Sequence, residues 1–235
     1  MPTVRTQRPW GTFFYMTNQD SDGLFDNDGD DRGELAWTEA DWELYLTEQD
    51  NAVRQYQKHY DELGTATDRI DEAARRMGWE INDSVISDNA VEEDDEAEDA
   101  FEDDWEPYTL HRNPVFVATR ALYASLLNEW ERTAASPEQV PSAIGLEVQT
   151  SLHRGNEHAL HAIQSLEMGD YALALCFFKR ALRELNTTLA RVNQPDVTAA
   201  SPALTAFRDF ALPRLFDLRE IWLRVMNECR GAKDE

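Results

Sequence analysis

"MGDYALALCFFKRALRELN" (residues 168–186) is the stretch whose reading decides the fold. Gly169 permits a tight reversal, because a residue without Cβ takes up a positive φ at little steric cost. Asp170 follows as a cap, its carboxylate placed to accept from the backbone N–H groups that a helix start leaves unpaired. In the helix that begins there, Ala174, Phe178 and Ala181 fall on one face. Small residues on that face let a preceding helix approach closely, and the Phe178 ring fills the space between. The stretch predicts an antiparallel pair: a helix to Met168, a turn at Gly169-Asp170 and a second helix over 171–192.

Other helices follow outward from this pair. Upstream, "SPEQVPSA" (136–143) holds two prolines placed to open the first helix of the pair, which continues through Gly145 and Gly155. Asn113-Pro114 reads as an N-cap followed by a first-turn proline. From there Phe116, Leu122, Tyr123, Leu126, Leu127 and Trp130 give a wide apolar stripe to about Thr133. Ser201-Pro202 opens a last helix to about Arg230, with a kink expected a turn before Pro213, where the ring removes a helical hydrogen bond. Near the N-terminus, Thr38 and Asp41 form a capping-box variant. Beyond them Trp42, Leu46, Gln49, Val53, Tyr56, Tyr60, Leu63, Thr67, Ile70, Ala74 and Met77 step alternately by four and three, a heptad seam broken near "LGTAT" (63–67). The fold class expected is all-α, a bundle of about five or six helices with short connections and one long acidic linker.

The residues Gly169, Asp170, Tyr171, Ala174, Leu175, Phe178, Ala181 and Leu182 resemble the second helix of a tetratricopeptide repeat. The resemblance covers about residues 155–188 and is carried by the second half. In the first half His158 and His161 stand where the family has a bulky Trp and an apolar Leu, Ser165 replaces a Tyr, and Asn186 stands where a closing Pro is common. Thirty-four residues to either side lie Ala135 and Ala203, and neither neighbourhood repeats the pattern. Solenoids share a core over about three copies, so a single hairpin is no peptide-binding superhelix. The resemblance implies a role in protein binding; an ordinary helix pair within a bundle is the other reading.

The chain of 235 residues carries a net charge of −24, and nearly all of it lies before residue 112. Residues 112–235 hold 14 Lys and Arg against 15 Asp and Glu. Between Met77 and His111 there is no Lys or Arg but 14 acids, 11 of them within 92–106. Such a run repels itself and buries little. The expected organisation is an acidic arm at 1–37, the heptad-patterned helix at 38–81, a disordered acidic linker at 82–111, and a helical bundle at 112–235 that packs with 38–81. Clustered acid disfavours direct binding of nucleic acid, which needs Lys and Arg against phosphates, and favours a basic partner. No signal-like or 18-residue apolar run occurs, so a cytoplasmic protein without a membrane partner is expected. Cys176 and Cys229 read as buried free thiols. The 42–77 seam also admits a homodimer.

Three patterns carry candidate chemistry. His153, Glu157 and His161 recur at i, i+4 and i+8 on one helix face, a spacing that can offer a divalent metal imidazole and carboxylate ligands. "DGDDRGELAWTE" (28–39) approaches a calcium loop through Asp28, Asp30, Glu34 and Glu39, with Gly33 at the sixth place, although Arg32 occupies a ligand position. The acidic linker carries Phe101, Trp105, Tyr108 and Leu110 as apolar anchors, suited either to a basic, apolar groove on a partner or to the protein's own bundle. No nucleophile elbow, phosphate loop or CxxC motif is present. The expected function is a non-enzymatic adaptor or regulatory protein that engages a basic partner through its acidic segment and helical hairpin. A metal-binding bundle and an acidic mimic of nucleic acid are the alternatives.

Overall fold

The computed structural model describes residues 37–79, 110–135, 138–195 and 201–231. The described residues are all helical apart from their connections and contain no strand: α1 (Glu39–Glu62), α2 (Arg69–Arg76), a 3-10 turn (Leu110–Arg112), α3 (Pro114–Ala134), α4 (Ser142–Glu167), α5 (Tyr171–Val192) and α6 (Pro202–Gly231). None of these helices is long and apolar enough to cross a membrane.

The helix starts follow the local chemistry of their caps. Thr38 Oγ1 accepts from the Asp41 N–H while the Asp41 carboxylate accepts from the Thr38 N–H, closing the capping box. Asn113 Oδ1 accepts from the Phe116 N–H at 3.0 Å with Pro114 in the first turn. Asp170 Oδ1 accepts from the Leu173 N–H at 2.9 Å. Gly169, with φ at +74°, supplies the left-handed turn between α4 and α5.

α3, α5 and α6 meet around Trp222. Its ring stacks on Tyr123 at 6.0 Å and faces Phe178 at 6.3 Å, and its indole N–H donates to Thr119 Oγ1 at 3.2 Å. A second aromatic contact, Trp130 on Phe207 at 4.8 Å, joins α3 to α6 farther along. Such rings bury large apolar areas in specific geometries, and the apolar burial is the main driving force for assembly. α4 and α5 form the most extensive helix pair, and α1 packs on α3.

The long N-terminal seam differs from its heptad reading in two ways. The helix stops at Glu62 and resumes at Arg69, so the break near Gly64 is a full connection with Thr67 exposed in it. The first part of the seam is also rotated: Tyr45 is buried, whereas Trp42 and Leu46 are exposed. A 3.5-residue repeat tracks one face only when two helices supercoil about each other, and on an ordinary helix of 3.6 residues per turn the face drifts. From Tyr56 onward the pattern holds, with Tyr56, Tyr60, Ile70 and Ala74 buried within the single chain. Cys229 is buried, its thiol pushed up to about 11 by that burial, but Cys176 is exposed on α5. α6 is continuous through Pro213.

Candidate functional site

The α4–α5 hairpin forms as the sequence indicates. Ala174, Phe178 and Ala181 are fully buried, and Leu175 and Leu182 are half-buried beside them. Gly155 of α4 leaves room for the Tyr123 hydroxyl of α3, which an added Cβ would meet at 2.5 Å, while Glu184 Cβ of α5 would stand at an ordinary contact distance of 3.6 Å. One turn away Ser151 and Thr188 share a hydroxyl hydrogen bond of 2.7 Å, so these two buried hydroxyls satisfy each other.

His158 and His161 lie against the second helix of the pair. Their rings lie 6.2 and 5.3 Å from the Phe177 ring of α5. Glu157 approaches His161 at 3.9 Å with both side chains largely exposed, and His153 is exposed a turn earlier. Among the described residues, no group of three or more His, Cys, Asp or Glu is arranged to hold a metal. Of the calcium-loop residues, Glu39 begins α1, while Asp28, Asp30 and Glu34 lie outside the described residues. Of the linker anchors, Leu110 is half-buried in the 3-10 turn against the core, and Phe101, Trp105 and Tyr108 lie outside the described residues.

The residues that flank the acidic segment are held firmly. Trp79 stacks on Tyr56 of α1 at 5.6 Å with the planes 17° apart, and the turn that begins at Leu110 also packs on α1. Trp79 and the turn at Leu110 therefore lie against the same helix.

α1 and α2 are fixed to α6 by charged side chains that the sequence reading missed. The Tyr60 hydroxyl donates to Asp217 at 2.5 Å, and the Arg69 guanidinium donates to the same carboxylate and to the Pro213 carbonyl at 3.1 Å. Arg214 reaches back to Asp61 at 2.6 Å and to Ser125 of α3 at 3.2 Å, with its guanidinium 3.7 Å over the Phe210 ring. Farther along, Arg224 bridges to Asp71 at 2.6 Å and to Glu220 at 2.9 Å. Burial pushes the Tyr60 phenol well up, and the Asp217 charge adds to it, so the hydroxyl stays a donor. Burial opposes the Arg69 charge, but the Asp217 hydrogen bond and the neighbouring charges more than offset it and raise its pKa. Nothing short-range in the sequence marks these pairs, since their members stand about 150 residues apart.

α5 bears a second feature that the reading passed over. In a chain of −24 it carries Lys179, Arg180, Arg183 and Arg191 against Glu184 alone. The signal is local, in "KRALRELN" (179–186), on the helix whose other face is apolar. The chain matches no family model, no curated protein and no solved structure.

Proposed function

We propose that the protein is a non-enzymatic adaptor or regulatory protein in which a helical bundle presents an acidic, aromatic-anchored segment to a basic protein partner. The observation that carries this reading is the confinement of charge: 11 acids and no base within residues 92–106, in a segment whose flanking residues Trp79 and Leu110 are both packed on α1. A firm base limits how far the segment can stray, which reduces the ordering entropy lost when a partner is engaged. Acidic charge sets the rate of encounter, and the anchors Phe101 and Trp105 set how long the complex lasts.

Paired baits test the reading: the full chain and a variant lacking residues 88–106, exposed to the same native extract at moderate salt. A basic protein retained only by the full chain supports it, and its binding kinetics then divide the roles. Trp105→Ala should accelerate dissociation about tenfold or more, the loss of one well-packed aromatic anchor. Neutralising the acids of 92–99 should slow association and flatten its salt dependence. Equal retention by both baits would defeat the proposal and move the binding surface to the α4–α5 hairpin. Competition by duplex DNA for the same site on the captured partner would mark it as a nucleic-acid-binding protein and the segment as a mimic of its ligand.

A further inference from the structure

The outer face of α5 is a basic strip on a strongly acidic protein. Lys179 and Arg183 stand one turn apart and exposed, followed along the helix by Asn186, Thr187 and Ala190. With half-buried Leu182 they line an open face along α5, a surface depression of about 490 Å³ with no acidic residue among its described lining. The cations of the helix are not equally engaged. Arg191 pairs with Glu147 of α4 at 2.7 Å, and Arg180 lies over the Phe177 ring at 5.6 Å. Arg183, by contrast, meets only its sequence neighbour Glu184, at 3.6 Å, with its own side chain 69% exposed. Lys179 makes no ion pair or hydrogen bond with any described residue. The face thus offers two cations with donors to spare, an apolar strip at Leu182, and amide and hydroxyl groups beyond.

We propose that this face of α5 docks the chain's own acidic segment, residues 92–106. The chemistry is complementary: 11 acids and no base meet Lys179 and Arg183, and Phe101 or Trp105 can cover Leu182. The tether also favours this occupant over others. Thirty residues separate Trp79 from Leu110, a contour of about 100 Å, or about 50 Å out and back. That exceeds the roughly 45 Å length of the longest helix of the bundle, α6. A tethered segment acts at an effective concentration on the order of millimolar. An acidic peptide or nucleic acid from outside would instead have to approach a molecule of −24. The contact concerns the isolated chain and stands whether or not a basic partner exists. Where one does, the partner must compete with α5 for the segment, which raises the concentration at which it engages.

Zero-length cross-linking of the full chain tests the contact directly. A water-soluble carbodiimide activates a carboxyl group, and an amine already touching it displaces the urea to form an amide. The chain has three lysines, Lys58, Lys179 and Lys233, so the products are few. Lys58 is a stringent control, being exposed on α1, the helix on which both flanking residues pack. The expected result is that peptides from 92–106 couple to Lys179 at least about fivefold more than to Lys58, with the preference lost in 0.5 M NaCl as screening shortens the reach of charge. Arg183→Glu, on an exposed site that leaves the helix intact by circular dichroism, should cut the Lys179 product several-fold while the Lys58 product stays constant. Coupling at Lys179 no greater than at Lys58, or a yield indifferent to Arg183→Glu, would overturn the proposal. Mixing ¹⁴N- and ¹⁵N-labelled chains separates the remaining case: same-label products support docking within one chain, and mixed-label products would overturn it in favour of a second copy.

Discussion

Where α5 meets its neighbours α4 and α6, the contact is built from buried Ala174, Phe178 and Ala181, with Phe178 against Trp222 and a hydroxyl pair from Ser151 and Thr188. Where α2 and the end of α1 meet α6, it is built from Tyr60, Arg69 and Asp217, from Arg214 and Asp61, and from Asp71 and Arg224. The first seam excludes water and is held by dispersion and apolar burial, which depend on shape. The second keeps charge at the edge of the core, where each group is tolerable only while its partner is present. Loss of shape and loss of a partner are different kinds of damage, and they should leave different signatures.

The largest effect belongs to the dry seam. Phe178→Ala removes a fully buried ring that faces Trp222 and should cost about 3–5 kcal/mol, a transfer loss plus the cavity left behind. Chemical denaturation measures it, and the loss should be the same in low and high salt. A loss under about 1 kcal/mol would mean that the α4–α5 seam closes over the gap and is less specifically packed than its burial indicates.

Asp217→Asn addresses the charged seam. The Arg69 and Asp217 side chains are 12% and 16% exposed, so the pair is nearly but not fully withdrawn from water. Removing the carboxylate charge leaves Arg69 without its counter-charge and should cost about 2–3 kcal/mol, below the range for a fully buried pair because some water reaches the site. The contrast lies in the rescue: Arg69→Met added to Asp217→Asn should recover much of the loss, because no unpaired charge then remains and the amide oxygen can still accept from the Tyr60 hydroxyl. No second substitution of that kind would restore Phe178→Ala.

The same contrast explains what could be read in the sequence. The dry seam was legible because its signals are local: Gly169 and Asp170 mark the turn, and the alanines recur at helical spacing around Phe178. The caps at Thr38 and Asn113 were legible for the same reason. The charged seam was not, because Arg69 and Asp217 are ordinary surface residue types whose pairing exists only once α2 lies on α6. The heptad steps at Trp42 and Leu46 misled because apolar spacing fixes a face only where a neighbour holds it, and there Tyr45 is the residue turned inward. The basic strip of α5 was written in the sequence but outweighed by the −24 of the whole.

A third outcome sharpens the comparison through pH. Glu228, one turn beyond Arg224, has a buried carboxylate oxygen without a hydrogen-bond partner. Burial raises its pKa from 4.5 to about 7, with Arg224 acting in the opposite direction. The folded form therefore holds a proton that the unfolded chain has released. The favourable contribution is full below pH 4.5 and is lost as pH rises through 7. Glu228→Gln should stabilise the protein at pH 8 by about 1–2 kcal/mol, a figure reduced for solvent screening at this partly exposed site. At pH 4 the substitution should be neutral. A gain independent of pH would mean that the carboxylate finds a counter-charge beyond Arg224.

The smallest effect is at the start of α1, which belongs to neither seam. Thr38 and Asp41 cap a helix whose first turns carry exposed Leu44 and Leu46 around a single buried residue, Tyr45, and the fully buried residues of α1 begin at Tyr56 and Tyr60. Loss of the cap should therefore fray the first turns without loosening the bundle. In Thr38→Ala, amide exchange over residues 41–45 should quicken about fivefold, while exchange around Trp222 and the midpoint of global unfolding stay unchanged. Acid should mimic the substitution. The Thr38 hydroxyl and backbone N–H hold the Asp41 carboxyl below its ordinary value, so the cap is intact above pH 3.8 and is lost as pH falls through the lowered pKa. If the substitution moved the global midpoint instead, the first half of α1 would have to be counted with the bundle, and the charged seam at its other end would no longer be what holds the helix in place.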